Sequence, residues 1–143
     1  MTALAPSLQQ EPTTEQAVPH LLLVEDDLVL ARAVSRALRA HGFAVSHAAT
    51  VAAASEFAGP FELAIFDIDL PDGSGVELAE SCFARRSIGH AVFFSGTNSP
   101  QQIASAQALG ELVGKGDGVD RLLGHVLQTC GRPSGVYARP TGA

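Results

Sequence analysis

The chain predicts an α/β fold: one doubly wound parallel sheet of five strands, covered by five helices. Three observations predict it. Short apolar runs alternate with helix-period segments across residues 20–129. The first run, residues 21–24 (LLLV), has no polar position, as a strand buried on both faces requires. Capping and turn residues punctuate almost every change of period.

The elements follow in order. After the 21–24 strand, residues 27–40 carry Leu30, Val34, Ala37 and Leu38 at helical spacing, and His41-Gly42 stops that helix. Residues 43–47 form a second strand. Thr50 is placed to cap a helix running to about residue 58. Residues 62–66 (ELAIF) form a third strand and 76–84 a third helix. Residues 91–94 (AVFF) form a fourth strand. Pro100 suits the first turn of a helix reaching Leu109. Leu112-Val113 is a short fifth strand, and 119–128 closes the pattern with Leu122, Leu123, Val126 and Leu127.

Composition bounds the function. A chain of 143 residues that is 46 % hydrophobic fits one domain with one sizeable core. The net charge of -6 repels phosphate backbones, so direct nucleic-acid binding is not expected. The adjacent pair Arg85-Arg86 is too small a basic footprint and reads as a solvated helix end. Neither Cys82 nor Cys130 has a second Cys or a His at metal-ligand spacing. They read as free thiols in a reducing compartment, with a single disulfide between them the open alternative. Residues 1–19 are rich in Pro, Thr, Gln and Glu and read as a disordered leader without signal-peptide character. Residues 130–143 read as a flexible tail. No stretch is apolar enough for a membrane span, so a soluble, cytoplasmic protein with no membrane partner is expected.

In an open parallel sheet, ligands sit beyond the carboxyl ends of the strands. Those ends carry the chemistry here. The first strand ends in Glu25-Asp26-Asp27 and the third in Asp67-Ile68-Asp69-Leu70-Pro71-Asp72-Gly73. The fourth ends in Ser95-Gly96-Thr97, and Gly114-Lys115-Gly116 follows the fifth. Carboxylates crowded on one sheet edge repel each other and raise their own pKa values. A hard divalent cation removes the conflict, and Mg²⁺ takes a few carboxylates plus water and phosphate oxygens. Asp67, last on the central strand, can act as a nucleophile on phosphorus. Lys115 supplies positive charge, the Ser95 hydroxyl can donate to a phosphoryl oxygen, and Gly96 leaves room for that group to enter.

Residues 22–27 (LLVEDD), 66–75 (FDIDLPDGSG), 94–96 (FSG) and Lys115 together resemble the receiver domains of two-component response regulators, over roughly residues 20–129. Residues 93–96 (FFSG) also resemble a single-domain subgroup with a Phe-Ala-Thr-Gly signature. The resemblance implies the flavodoxin-like strand order 2-1-3-4-5. It implies that Asp67 accepts a phosphoryl group, that Glu25, Asp26 and Asp67 hold Mg²⁺, and that Asp69 adds its backbone carbonyl. Ser95 matches the family's switch hydroxyl and Lys115 its lysine. The implied partners are a sensor histidine kinase or histidine phosphotransfer protein upstream and a protein target downstream. No enzymatic turnover is implied beyond self-phosphorylation and dephosphorylation.

The chain departs from the family in three places. Gly116 stands where proline usually follows the lysine, Leu112 stands where an aromatic is usual, and the segment before Lys115 is about two residues short. These departures support a rival class, a receiver-like interaction module that does not use phosphorylation. A second rival is a small phosphatase built on Asp67 and Asp69, because Asp-x-Asp also opens haloacid-dehalogenase-type sites. Against it, Pro71 stands where those sites carry Thr or Val. Residues 110–116 faintly resemble a phosphate-binding loop but lack its spacing and its hydroxyl. Plainer roles compete at single positions. Glu25 and Asp26 also favour a helix dipole, Asp27 reads as the cap, and Asp72 reads as turn chemistry. None of the five histidines pairs at metal spacing.

Overall fold

In the computed structural model, which describes residues 18–133, five strands form one parallel sheet in the order β2-β1-β3-β4-β5. The strands are β1 (His20–Val24), β2 (Ala44–Ala48), β3 (Phe61–Phe66), β4 (Ile88–Ser95) and β5 (Glu111–Gly114). The helices are α1 (Leu28–Ala40), α2 (Val51–Ser55), α3 (Gly75–Ala84), α4 (Pro100–Gln107) and α5 (Val119–Cys130). Much of the leader read over 1–19 and most of the tail read over 130–143 lie outside the described residues. Within them, Cys130 belongs to α5 rather than to a tail. Both cysteines are free thiols.

The period-2 geometry of the central strands sorts their side chains into two cores. Leu22, Val24, Ala64, Phe66, Ala91 and Phe93 meet Val76, Leu78, Ala79 and Cys82 of α3 on one face. Leu21, Leu23, Leu63, Ile65, Val92 and Phe94 meet Ala31, Val34 and Leu38 of α1 and Leu122 and Val126 of α5 on the other. This is why the stretches 21–24, 63–66 and 91–94 read as unbroken apolar runs.

Four helices begin at side-chain caps. Asp27 accepts from the Leu30 N–H (3.1 Å), Thr50 from Ala53 (3.0 Å), Ser74 from Val76 (3.1 Å) and Ser99 from Gln102 (3.3 Å). Gly42, at φ +96°, takes the left-handed turn that ends α1.

Three features depart most from expectation. Helix α2 stops at Ser55 rather than near residue 58, because Gly59 at φ +79° and Pro60 turn the chain into β3. Strand β4 starts at Ile88, three residues before the apolar run, pairing Ile88 with Phe61 and His90 with Leu63. The segment after β3, read as turn chemistry, holds a small antiparallel hairpin in which Asp69–Leu70 pairs with Gly73–Ser74.

Asp72 sits at the tip of that hairpin. Its carboxylate accepts from the Val51 N–H (2.8 Å) and the Ala52 N–H (3.0 Å), 21 and 20 residues away along the chain, at the start of α2. These two bonds hold its pKa below the ordinary aspartate value. A depressed carboxylate pKa contributes stability above the unfolded value and loses it as pH falls through the folded value. Asp72→Ala is therefore expected to lower the thermal midpoint at neutral pH, with the gap to wild type closing as pH falls below the ordinary aspartate range. A gap of the same size at neutral and at low pH would exclude the charge as the cause.

Candidate acidic site at the strand ends

Parallel pairing brings the chemistry-bearing residues to one edge. Val24 pairs with Phe66, and the Asp67 N–H bonds the Val24 carbonyl at 2.9 Å, so Glu25 and Asp67 leave adjacent strands side by side. Phe66 pairs with Phe93, and Ser95 pairs with Gly114, so Ser95 and Lys115 follow at the next two strand ends.

Glu25 and Asp67 are both buried, with side chains 2 % and 7 % exposed. Lys115 reaches between them. Its Nζ lies 3.0 Å from Asp67 Oδ2 and 3.1 Å from Glu25 Oε1. Gly116 in place of proline therefore still leaves the lysine on the acidic pair. Burial pushes the Glu25 carboxyl above its ordinary value, and the Asp67 charge adds to this. The Asp27 N–H on Glu25 Oε2 (3.1 Å) and Lys115 pull the other way. Burial alone would pull Lys115 down. Its hydrogen bonds and charge contacts with Asp67 and Glu25 outweigh that and hold it above the ordinary lysine value.

Asp26 is exposed, yet Glu25, Asp26 and Asp67 each bring an oxygen within 4.8 Å of the others. Three hard oxygen donors, two of them desolvated and in conflict, fit a divalent cation of the Mg²⁺ type. Ser95 is buried at the same edge, where its Oγ accepts from the Thr97 N–H at 3.2 Å. A Cβ added to Gly96 would meet nothing within 4 Å, which leaves the approach to the edge open. The Asp69 side chain stands apart from the carboxylate group and accepts from Gln102 Nε2 at 3.2 Å. Gln102 Oε1 in turn accepts from Thr97 Oγ1 at 2.5 Å. This bridge from the hairpin to α4 had no signal in the sequence, since it joins residues 33 apart. His47, also unforeseen, has Nε2 2.7 Å from the Glu25 carbonyl oxygen.

No family model matches the chain. Over 115 residues it is 33 % identical to the acid tolerance regulatory protein ActR of Rhizobium meliloti (strain 1021), covering 78 % of this chain and 59 % of that protein. It is 32 % identical over 94 residues to the photosynthetic apparatus regulatory protein RegA of Rhodovulum sulfidophilum, covering 64 % of this chain and 51 % of that one. The chain thus spans little more than half the length of these curated relatives. Among solved structures, a CheY-like response regulator receiver domain from Methanospirillum hungatei JF-1 superposes with a TM-score of 0.68 at 27 % identity, covering 78 % of this chain and 93 % of that one. The chain is a CheY-like response-regulator receiver domain. The signal receiver domain of a Luxo repressor protein from Vibrio parahaemolyticus shares the receiver fold, with a TM-score of 0.72 at 22 % identity over 79 % of this chain and 90 % of that one. The sheet order β2-β1-β3-β4-β5 is the receiver order expected from the sequence. No helix among the described residues is long and apolar enough to cross a membrane.

Proposed function

We propose that this receiver accepts a phosphoryl group on Asp67 and signals by docking to another protein. The observation that carries the reading is the Lys115 ammonium held on Asp67 and Glu25, in register with the third carboxylate, Asp26. An Asp67 carboxylate oxygen attacks the phosphorus of a phosphohistidine on a sensor kinase or phosphotransfer protein. The P–N bond breaks, and the imidazole leaves with its electron pair and takes up a proton. Lys115 moves from the carboxylate to the new phosphoryl oxygens, and the Ser95 hydroxyl turns from the Thr97 N–H to donate to one of them. Glu25 and Asp26, with Asp67 and the Asp69 main-chain carbonyl, would hold Mg²⁺. When bound, that ion supplies the remaining positive charge for the phosphoryl oxygens. The reaction modifies the protein itself and needs no turnover of an external substrate. The site works in the cytoplasm, where such donors reside, and the acidic surface disfavours direct contact with nucleic acid.

Intact mass spectrometry after incubation with acetyl phosphate and Mg²⁺ tests this. Wild type is expected to gain the mass of one phosphoryl group and Asp67→Asn none. Labelling of the variant would remove Asp67 from its role.

One observation favours a second reading, a module that docks without phosphorylation. Leu112, at the usual aromatic position, is half-buried and packs against the apolar cluster containing Phe93, so it has no polar tip to swing toward Ser95. A folded wild type that takes no label and binds no Mg²⁺ would turn the choice to that reading. The phosphatase alternative is disfavoured because Asp69 is tied to Gln102.

A further inference from the structure

Helix α1 carries three of the chain's nine Lys and Arg side chains, with no Asp or Glu between Leu28 and Ala40. Arg32, Arg36 and Arg39 recur at helical spacing, so they share one face of α1. They line a groove of about 460 Å³, together with Ser35 and with His47 of the edge strand β2. On a chain of net charge -6 this is a local reversal of sign.

Two features separate the groove from an ordinary solvated helix face. Arg32 and Arg36 form no hydrogen bond or ion pair among the described residues, while Arg39 is occupied by the Val45 carbonyl at 3.0 Å. Ser35 is only 7 % exposed, yet its hydroxyl also has no partner among the described residues. Helix serines commonly return their hydroxyl to the carbonyl four residues earlier, as Ser55 does here to Val51 (2.9 Å). A buried hydroxyl without a partner carries a desolvation penalty that an arriving acceptor would remove. Two free guanidinium forks beside an unused hydroxyl donor form a site for phosphate oxygens. The volume falls in the range of small-ligand sites.

We propose that the α1–β2 groove binds a diphosphate group, as carried by a small organic phosphate. Arg32 and Arg36 neutralise its charge, and Ser35 Oγ donates to one of its oxygens. The site is separate from the carboxylate edge and does not depend on phosphorylation of Asp67. His47 lines the groove and also bonds the Glu25 carbonyl, so one side chain lies between the two sites.

Inorganic pyrophosphate is the probe, in metal-free buffer, followed by calorimetry and by amide shifts in ¹H–¹⁵N spectra. Saturable one-to-one binding is expected, with shifts concentrated at residues 31–39 and at His47. The double variant Arg32→Gln/Arg36→Gln should weaken binding by at least about tenfold. That variant should still take the acetyl phosphate label. Ser35→Ala should weaken binding several-fold without lowering the thermal midpoint, a combination that a purely structural serine would not produce. The proposal is overturned by failure to saturate at millimolar pyrophosphate, by equal affinity in the double variant, or by shifts centred on Lys115. Tighter binding of an acidic peptide than of pyrophosphate would also overturn it, in favour of a protein partner.

Discussion

Gly75→Ala is expected to destabilise the fold by on the order of 3 kcal/mol or more. Gly75 opens α3 immediately after the hairpin, and its N–H bonds the Ile68 carbonyl at 2.7 Å. At this closeness a Cβ would run into the backbone carbonyl of Asp67 and approach Ile68 Cα. Backbone cannot rotate away as a long side chain can, so either α3 or the end of β3 must shift. Asp67, the proposed acceptor, directly follows β3. The variant should therefore lose unfolding free energy in urea, and whatever remains folded should label poorly with acetyl phosphate. A urea midpoint within error of wild type would mean that the two segments can separate freely, and the account of how Asp67 is positioned would fail.

Lys115→Met should cost about 3 kcal/mol at neutral pH, because it leaves two buried carboxylates facing each other without a counter-charge. The pH dependence carries the diagnosis. Without the ammonium, the folded-state pKa of Glu25, already raised by burial, rises further above its unfolded value. The folded state then binds more protons, and stability falls as pH rises through the carboxylate range. The deficit is thus expected to be small near pH 4 and full by pH 7, and added Mg²⁺ should recover part of it. Wild type behaves oppositely at the alkaline end. Its Lys115 pKa is held above 10.5, so that contribution is complete below this value and is lost only as pH rises further. Equal destabilisation of Lys115→Met at pH 4 and pH 7, unaffected by Mg²⁺, would show that lost packing rather than charge explains it.

The architecture was legible because its signals are local. The stretches 21–24, 63–66 and 91–94 are apolar at every position, which only a strand covered on both faces requires, and Thr50 and Pro100 mark helix starts through their own chemistry. The carboxylate edge was legible for a related reason. Glu25, Asp26, Asp67, Ser95 and Lys115 each stand at the end of a strand, and parallel register turns a repeated position into a cluster. What escaped the sequence depends on side chains reaching across space. Gln102 meets Asp69 from another helix, His47 meets Glu25 from the neighbouring strand, and Asp72 leaves its own turn for α2. The close approach of Gly75 was hidden in a segment that already had enough glycine to read as loop.

The Asp72 contact bears on the order in which the chain assembles. Helix α2 has five residues, far too few to persist alone in water. Two of its first free N–H groups are satisfied only when a hairpin some twenty residues downstream is in place. Helix α2 is therefore a dependent element that cannot precede the β3–α3 connection. Native-state amide exchange should accordingly find Val51 and Ala52 opening together with residues 69–74, so that loosening the loop after Asp67 also frays α2.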